Sequence, residues 1–229
     1  MKKESFAAYL KGGYWTQAIK NTALSDSSGT GVTLDAEFKS NLTGEFGFVY
    51  SNGRINFLFG LEVIRPAPIV SRKGTDVAGT ELYDVSSEVS AYAPKLGIEI
   101  SFYQGATSRA FLGGAFGTAT LTGRNSYVLT ADGTAAFAGV VDFYEDLRST
   151  APLTEGSLGY EMLMADTTTF NLEAGYRSLS FTAITHNRDV TSFQGPIIKG
   201  DAATNMDGSK RTMNLSGPFI ALSFRFWLH

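Results

Sequence analysis

Apolar and polar residues alternate with a period of two along most of the chain. From Val32 to Tyr50 the even positions are Val32, Leu34, Ala36, Phe38, Ser40, Leu42, Gly44, Phe46, Phe48 and Tyr50, none of them charged, while Asp35, Glu37, Lys39 and Glu45 all fall on odd positions. Successive side chains of a strand point to opposite faces, so this stretch reads as one strand with an apolar and a charged face. Asn52-Gly53 marks a hairpin turn, beyond which Ile55, Phe57, Phe59, Leu61 and Val63 alternate with Asn56 and Glu62. The same division separates Leu96, Ile98 and Ile100 from Lys95 and Glu99, Leu158 and Tyr160 from Glu155 and Glu161, and Leu172 and Tyr176 from Glu173 and Arg177. A first strand over about 5–19, a Gly/Ala-rich strand over about 109–122 and a last one over about 211–227 bring the count to eight. The last strand changes phase near Gly217-Pro218, which predicts a bulge.

Connection lengths carry the second signal. Tight turns at Ser51-Asn52-Gly53-Arg54, Gln104-Gly105-Ala106-Thr107 and Ala165-Asp166-Thr167 alternate with long connections over about 66–88, 123–152 and 182–210. That alternation predicts one all-β domain over 1–229, an eight-stranded antiparallel up-and-down transmembrane β-barrel with short periplasmic turns and long extracellular loops. In the 123–152 connection, Phe137, Val140, Val141, Tyr144 and Leu147 fall at helical spacing and predict a short amphipathic helix capped by Asp132 or Thr134. Its apolar face would need the barrel mouth, a neighbouring subunit or lipid as its partner.

Composition sharpens this layout. Only 18% of the residues are charged and 13% are aromatic, with 17 Phe, 10 Tyr and 2 Trp, and the net charge is -3. A weakly acidic chain without a Lys/Arg run lacks the basic patch that nucleic acid requires. With no cysteine and two histidines, no cofactor or metal is expected. Met1-Lys2-Lys3 begins like a secretory leader but no apolar core follows, so the chain reads as a mature form without its signal peptide.

Alternation alone leaves two barrels open, a soluble one with its apolar face around a ligand and a membrane one with that face in lipid. Phe46, Phe48, Tyr50, Phe57, Phe59, Phe102, Tyr103, Phe111, Phe170, Phe224, Phe226 and Trp227 cluster near the tight turns, where they predict an interfacial girdle. Eight strands enclose too little space for so many rings, which favours the membrane barrel. Layout and the C-terminal run Phe219-Ile220-Ala221-Leu222-Ser223-Phe224-Arg225-Phe226-Trp227 resemble the small eight-stranded outer-membrane barrels of Gram-negative bacteria. The resemblance implies outer-membrane location and recognition of the last strand by the barrel-assembly machinery, although Leu228-His229 follow the final aromatic.

The inward set is then Asp35, Glu37, Lys39, Glu45, Glu62, Lys95, Glu99, Glu155, Glu161, Glu173, Arg177 and Arg225, eight acids against four bases. It reads either as a cation-preferring pore or as an ion-pair network plugging a narrow lumen, and the second is favoured because buried charges must pair. The surface set facing lipid or a partner is Val32, Leu34, Phe38, Leu42, Phe46, Phe48, Tyr50, Phe57, Phe59, Phe137, Val141, Tyr144, Phe224, Phe226 and Trp227. A small porin or channel for small or apolar solutes is the second function class and a lipid-modifying enzyme the third, with His186, Asp189, Ser180 and Ser192 as its candidates, but no nucleophile motif accompanies them. Over nineteen residues the 32–50 strand would span roughly 45 Å, beyond an apolar band of about 25 Å. Either a second subunit or trapped lipid covers the excess, or the strand bends or packs under a loop. Over-long apolar strands and an amphipathic loop resemble the porin-like proteins of predatory bacteria, ring-shaped oligomers of small barrels that enclose lipid. That resemblance implies a homo-oligomer that organises membrane lipid without catalysis.

Overall fold

The computed structural model describes residues 4–15, 33–34, 41–205 and 208–228. Eight antiparallel strands form a closed ring: β1 Glu4–Trp15, β2 Asn41–Asn52, β3 Ile55–Pro66, β4 Glu81–Gln104, β5 Ser108–Leu129, β6 Phe143–Ala165, β7 Thr168–Phe181 and β8 Gly217–Leu228. Each pairs with its neighbours in sequence, and β8 closes on β1. Following partners from Gly12 through Gly44, Val63, Tyr92 and Thr120 leads to Thr150, whereas the opposite direction through Leu222 and Leu172 leads to Tyr160. The ring therefore closes with a stagger of ten residues on β6. With about 3.3 Å per residue and about 4.8 Å between strands, that shear tilts the strands by about 40°.

The tight turns form as their residues dictate. Gly53 adopts φ +63° between β2 and β3, the positive value that Asn-Gly is suited to. The Gly105 amide donates to the Ser108 carbonyl at 2.8 Å between β4 and β5. Both described termini lie at this end.

At the other end the structure departs from the expected loops. Residues 81–88 and 123–129 are not loop but the distal parts of β4 and β5, strands of 24 and 22 residues, and β6 adds 23. Ile69–Thr75 continues the β3 edge along β4, so the wall turns only at 76–80, where Asp76 Oδ1 accepts the amides of Ala78 and Thr80 at 2.9 and 2.8 Å. The helix expected at 137–147 is also corrected: it spans Ala131–Ala136, is capped by Thr130, and Phe143 already begins β6. One side of the barrel thus rises as a tall wall of β4, β5 and β6, while β7 and β8 stop low; residues 16–19 of the predicted first strand lie outside the described residues. Residues 182–205 and 208–215 fold over the wall's inner face, with Thr185–His186 pairing against Leu147 and Arg148.

The bulge expected near Gly217 is absent. Met213↔Phe181 and Gly217↔Arg177 keep one register with β7, and odd residues face inward throughout. What changes there is the interior. Above the membrane band it is packed with Trp15, Ile64, Leu121, Leu153, Phe181, Met213 and Leu215; below, it is charged. Thr33–Leu34 pairs with Gly74–Thr75, one residue out of step with the β2–β3 ladder, and therefore continues that hairpin upward. Val32, Asp35, Glu37, Phe38 and Lys39 lie outside the described residues, as does the middle of the long strand predicted over 32–50.

Candidate functional site

The outer surface and the lumen are the two places where this fold meets other molecules. On β4 the outward residues Tyr92, Pro94, Leu96, Ile98, Ile100 and Phe102 are all exposed and apolar. Ten residues at the tilt given above measure about 25 Å, the height of a transmembrane barrel's apolar band. Leu10, Leu42, Phe46, Phe48, Tyr50, Phe57, Phe59, Leu158, Leu172, Phe224 and Phe226 continue the belt around the ring, each between 42% and 64% exposed. Tyr14, Tyr92 and Tyr176 sit at its upper edge. Above them the outward residues turn polar: Ser86, Glu88 and Ser90 on β4, Thr122 and Arg124 on β5, Arg148 and Thr150 on β6. Arg65 pairs with Glu88 and Arg124 with Asp146 on that surface. A soluble barrel would not present so many large apolar residues to water in a closed ring.

Three residues expected on the outer surface face elsewhere. Trp227 points inward, donating from Nε1 to Thr169 Oγ1 at 3.1 Å, and Phe111 is fully buried beneath Arg109. Phe137 packs on Phe193 of the overlying segment, ring centroids 4.5 Å apart. Val141 is exposed at the tip, and the Tyr144 ring lies beside both Arg124 and Arg188. Because Trp227 is inward, the outward series at the C-terminus is Phe224, Phe226 and Leu228.

Inside, the charges form two connected groups. In the half nearest the turns, Arg109 lies 2.7 Å from Glu99 and 2.6 Å from Glu161, and Arg225 bridges the same two carboxylates. Asn56 Nδ2 donates to Glu99 at 3.0 Å and Thr169 Oγ1 to Glu161. Nearer the middle, Lys95 Nζ lies 2.8, 3.0 and 2.7 Å from Glu45, Glu62 and Glu155. Arg177 holds Glu62 and Glu155 and lies over the Trp15 ring, Lys11 holds Glu173 at 2.6 Å, and the Tyr9 hydroxyl donates to Glu45. Six carboxylates thus meet five cations: Lys11, Lys95, Arg109, Arg177 and Arg225. Charges taken out of water need this multiplicity, because one partner rarely offsets the desolvation. Lys11 and Arg109 were absent from the expected inward set. The cavity against Lys11, Glu45, Lys95 and Glu173 has a volume of only about 30 Å³, room for about two waters.

The candidate enzyme residues are not brought together. Ser180 and Asp189 are exposed, whereas His186 is buried and faces the Glu145–Arg211 pair. Among the described residues no group of three or more His, Asp or Glu side chains is placed to hold a metal ion.

A closed eight-stranded ring with a lipid-facing belt about 25 Å high and a charge-filled interior is a transmembrane β-barrel of the outer-membrane type. No protein-family model matches the chain, and no curated protein does. Solved bacterial outer-membrane proteins align with the chain along nearly its whole length. A major outer-membrane protein of Thermus thermophilus aligns over 96% of this chain and 99% of its own, at 10% identity and a TM-score of 0.49. OprG of Pseudomonas aeruginosa aligns over 99% and 95%, at 15% identity and 0.43, and Ail, the attachment invasion locus protein of Yersinia pestis, over the whole of both chains at 10% and 0.43.

Proposed function

We propose that the chain is a non-conducting outer-membrane barrel whose function lies in its outer surface, as a homo-oligomer that organises membrane lipid without catalysis. The filled lumen carries this reading. Eleven paired charges and an apolar layer above them fill the lumen among the described residues, where the cavity against Lys11 and Glu45 has room for water molecules only. The belt supports the lipid and partner half: at mid-height it carries Gly12, Gly44, Gly114 and Gly156, around which an added Cβ would meet little, so an acyl chain or a second barrel can approach the backbone closely. In this reading Phe224, Phe226 and Leu228 on β8 present the barrel to the assembly machinery. Native mass spectrometry from a mild detergent tests the proposal: oligomers retaining lipid are expected, and lipid-free monomers alone would overturn it.

A further inference from the structure

The 182–215 segment is held to the tall wall at two points of different chemistry. At the tip, Phe193 inserts among Tyr83, Tyr127, Phe137 and Phe143, with ring centroids 5.0, 5.3, 4.5 and 5.0 Å away. Lower down, Thr185–His186 adds two residues of strand to β6. The His186 amide donates to the Asp201 carbonyl and its own carbonyl accepts from Gly200, at 2.9 and 2.8 Å. The imidazole is 2% exposed, and its buried Nδ1 has no hydrogen-bond partner. Glu145 of β6 faces it, in a 2.6 Å ion pair with Arg211 of the segment itself, and Asp201 lies along the same strap. On the wall, Asn125 of β5 donates from Nδ2 to Glu145 at 3.4 Å and accepts from Ser87 of β4 at 2.9 Å, so the groups behind Glu145 carry no charge.

We propose that this segment is an acid-released strap: protonation of the buried His186 beside Glu145, a carboxylate already held by Arg211, favours undocking of residues 182–205 and withdrawal of Phe193 from its aromatic socket. A buried polar group without a partner is tolerable when neutral and costly when charged. Burial holds the His186 imidazole below its ordinary value; Glu145 pulls it up, Arg211 pushes it down further, and Asp201 offers a weaker upward pull. The sign follows from linkage. Above about pH 6.5 the ring is neutral docked or free, and docking is fully favoured. Below that value the released ring binds a proton that the docked one resists, so the undocked population grows by up to about tenfold per pH unit until the docked ring protonates in place. Release would uncover Leu121, Leu147, Phe181 and Met213 together with the four rings of the socket.

Hydrogen–deuterium exchange of the refolded full chain, at about pH 7.5 and about pH 5 and corrected for intrinsic rate, tests this directly. Protection of residues 183–205 is expected to fall about tenfold at the lower pH while the eight transmembrane strands stay unchanged, and His186→Gln is expected to abolish the difference. Equal protection at both pH values, or the same loss in His186→Gln, would overturn the proposal. If the variant is already unprotected at neutral pH, the wild-type imidazole decides, since His229 is the only other histidine. Followed by NMR, His186 must titrate with the midpoint of the protection loss; titration at an ordinary value with the strap still protected also overturns it.

Discussion

Replacing Lys95 with Met removes the one cation among the described residues that touches three carboxylates. Lys95 is 5% exposed and lies within 3.0 Å of Glu45, Glu62 and Glu155. After the substitution Arg177 still holds Glu62 and Glu155, but Glu45 keeps only Lys11 at 3.9 Å and the Tyr9 hydroxyl. The loss is therefore that of one broken buried pair rather than of the whole network, about 3–5 kcal/mol. Lys95→Met with Glu45→Gln deletes the stranded carboxylate too, and should recover at least about 1 kcal/mol of that. Urea titration of the barrel in lipid vesicles reads both, through the gel shift between folded and unfolded forms and through Trp15, which stacks on Arg177. A Lys95→Met barrel within about 1 kcal/mol of wild type would show that water, not protein, neutralises these carboxylates, and would refute the sealed lumen.

Other consequences are separable. A Cβ on Gly159 would overlap the ring of Phe111, which supports Arg109, so Gly159→Ala should cost about 1–3 kcal/mol in the same titration. Phe226→Ser removes an outward ring from β8 while leaving the interior untouched, and should lower the assembled fraction in cells several-fold with little change in refolded stability. Val77 is 91% exposed at the wall's tip, so Val77→Ser should shift stability by no more than about 0.5 kcal/mol.

The barrel was legible wherever a strand has lipid on one side and the charged lumen on the other, because the inward charges of one strand, Lys95 with Glu99, Glu155 with Glu161 and Glu173 with Arg177, then keep one parity. Legibility failed where the same strand leaves the membrane. On β4 the apolar residues are outward from Tyr92 to Phe102 and inward at Tyr83, Val85 and Val89, with Ser86 and Glu88 outside. The strand runs on while its solvent changes, so the alternation inverts and resembles a loop. The supposed bulge at Gly217 has the same origin: Met213 and Leu215 face an apolar interior, and Ile220 and Leu222 face lipid. Lys11 escaped because it is the only charge in the interior of β1, leaving parity nothing to compare. The expected surplus of acids over bases was the signal that cations were missing. Trp227 escaped because an aromatic residue at a girdle position serves either face, and only its register shows that it caps the lumen at Thr169.

The central claim, a barrel closed through its middle, is met most directly by planar-bilayer recording of the purified protein. The account predicts a silent wild type under symmetric salt at either polarity. Stable, reproducible conductance steps from the unmodified chain would contradict it.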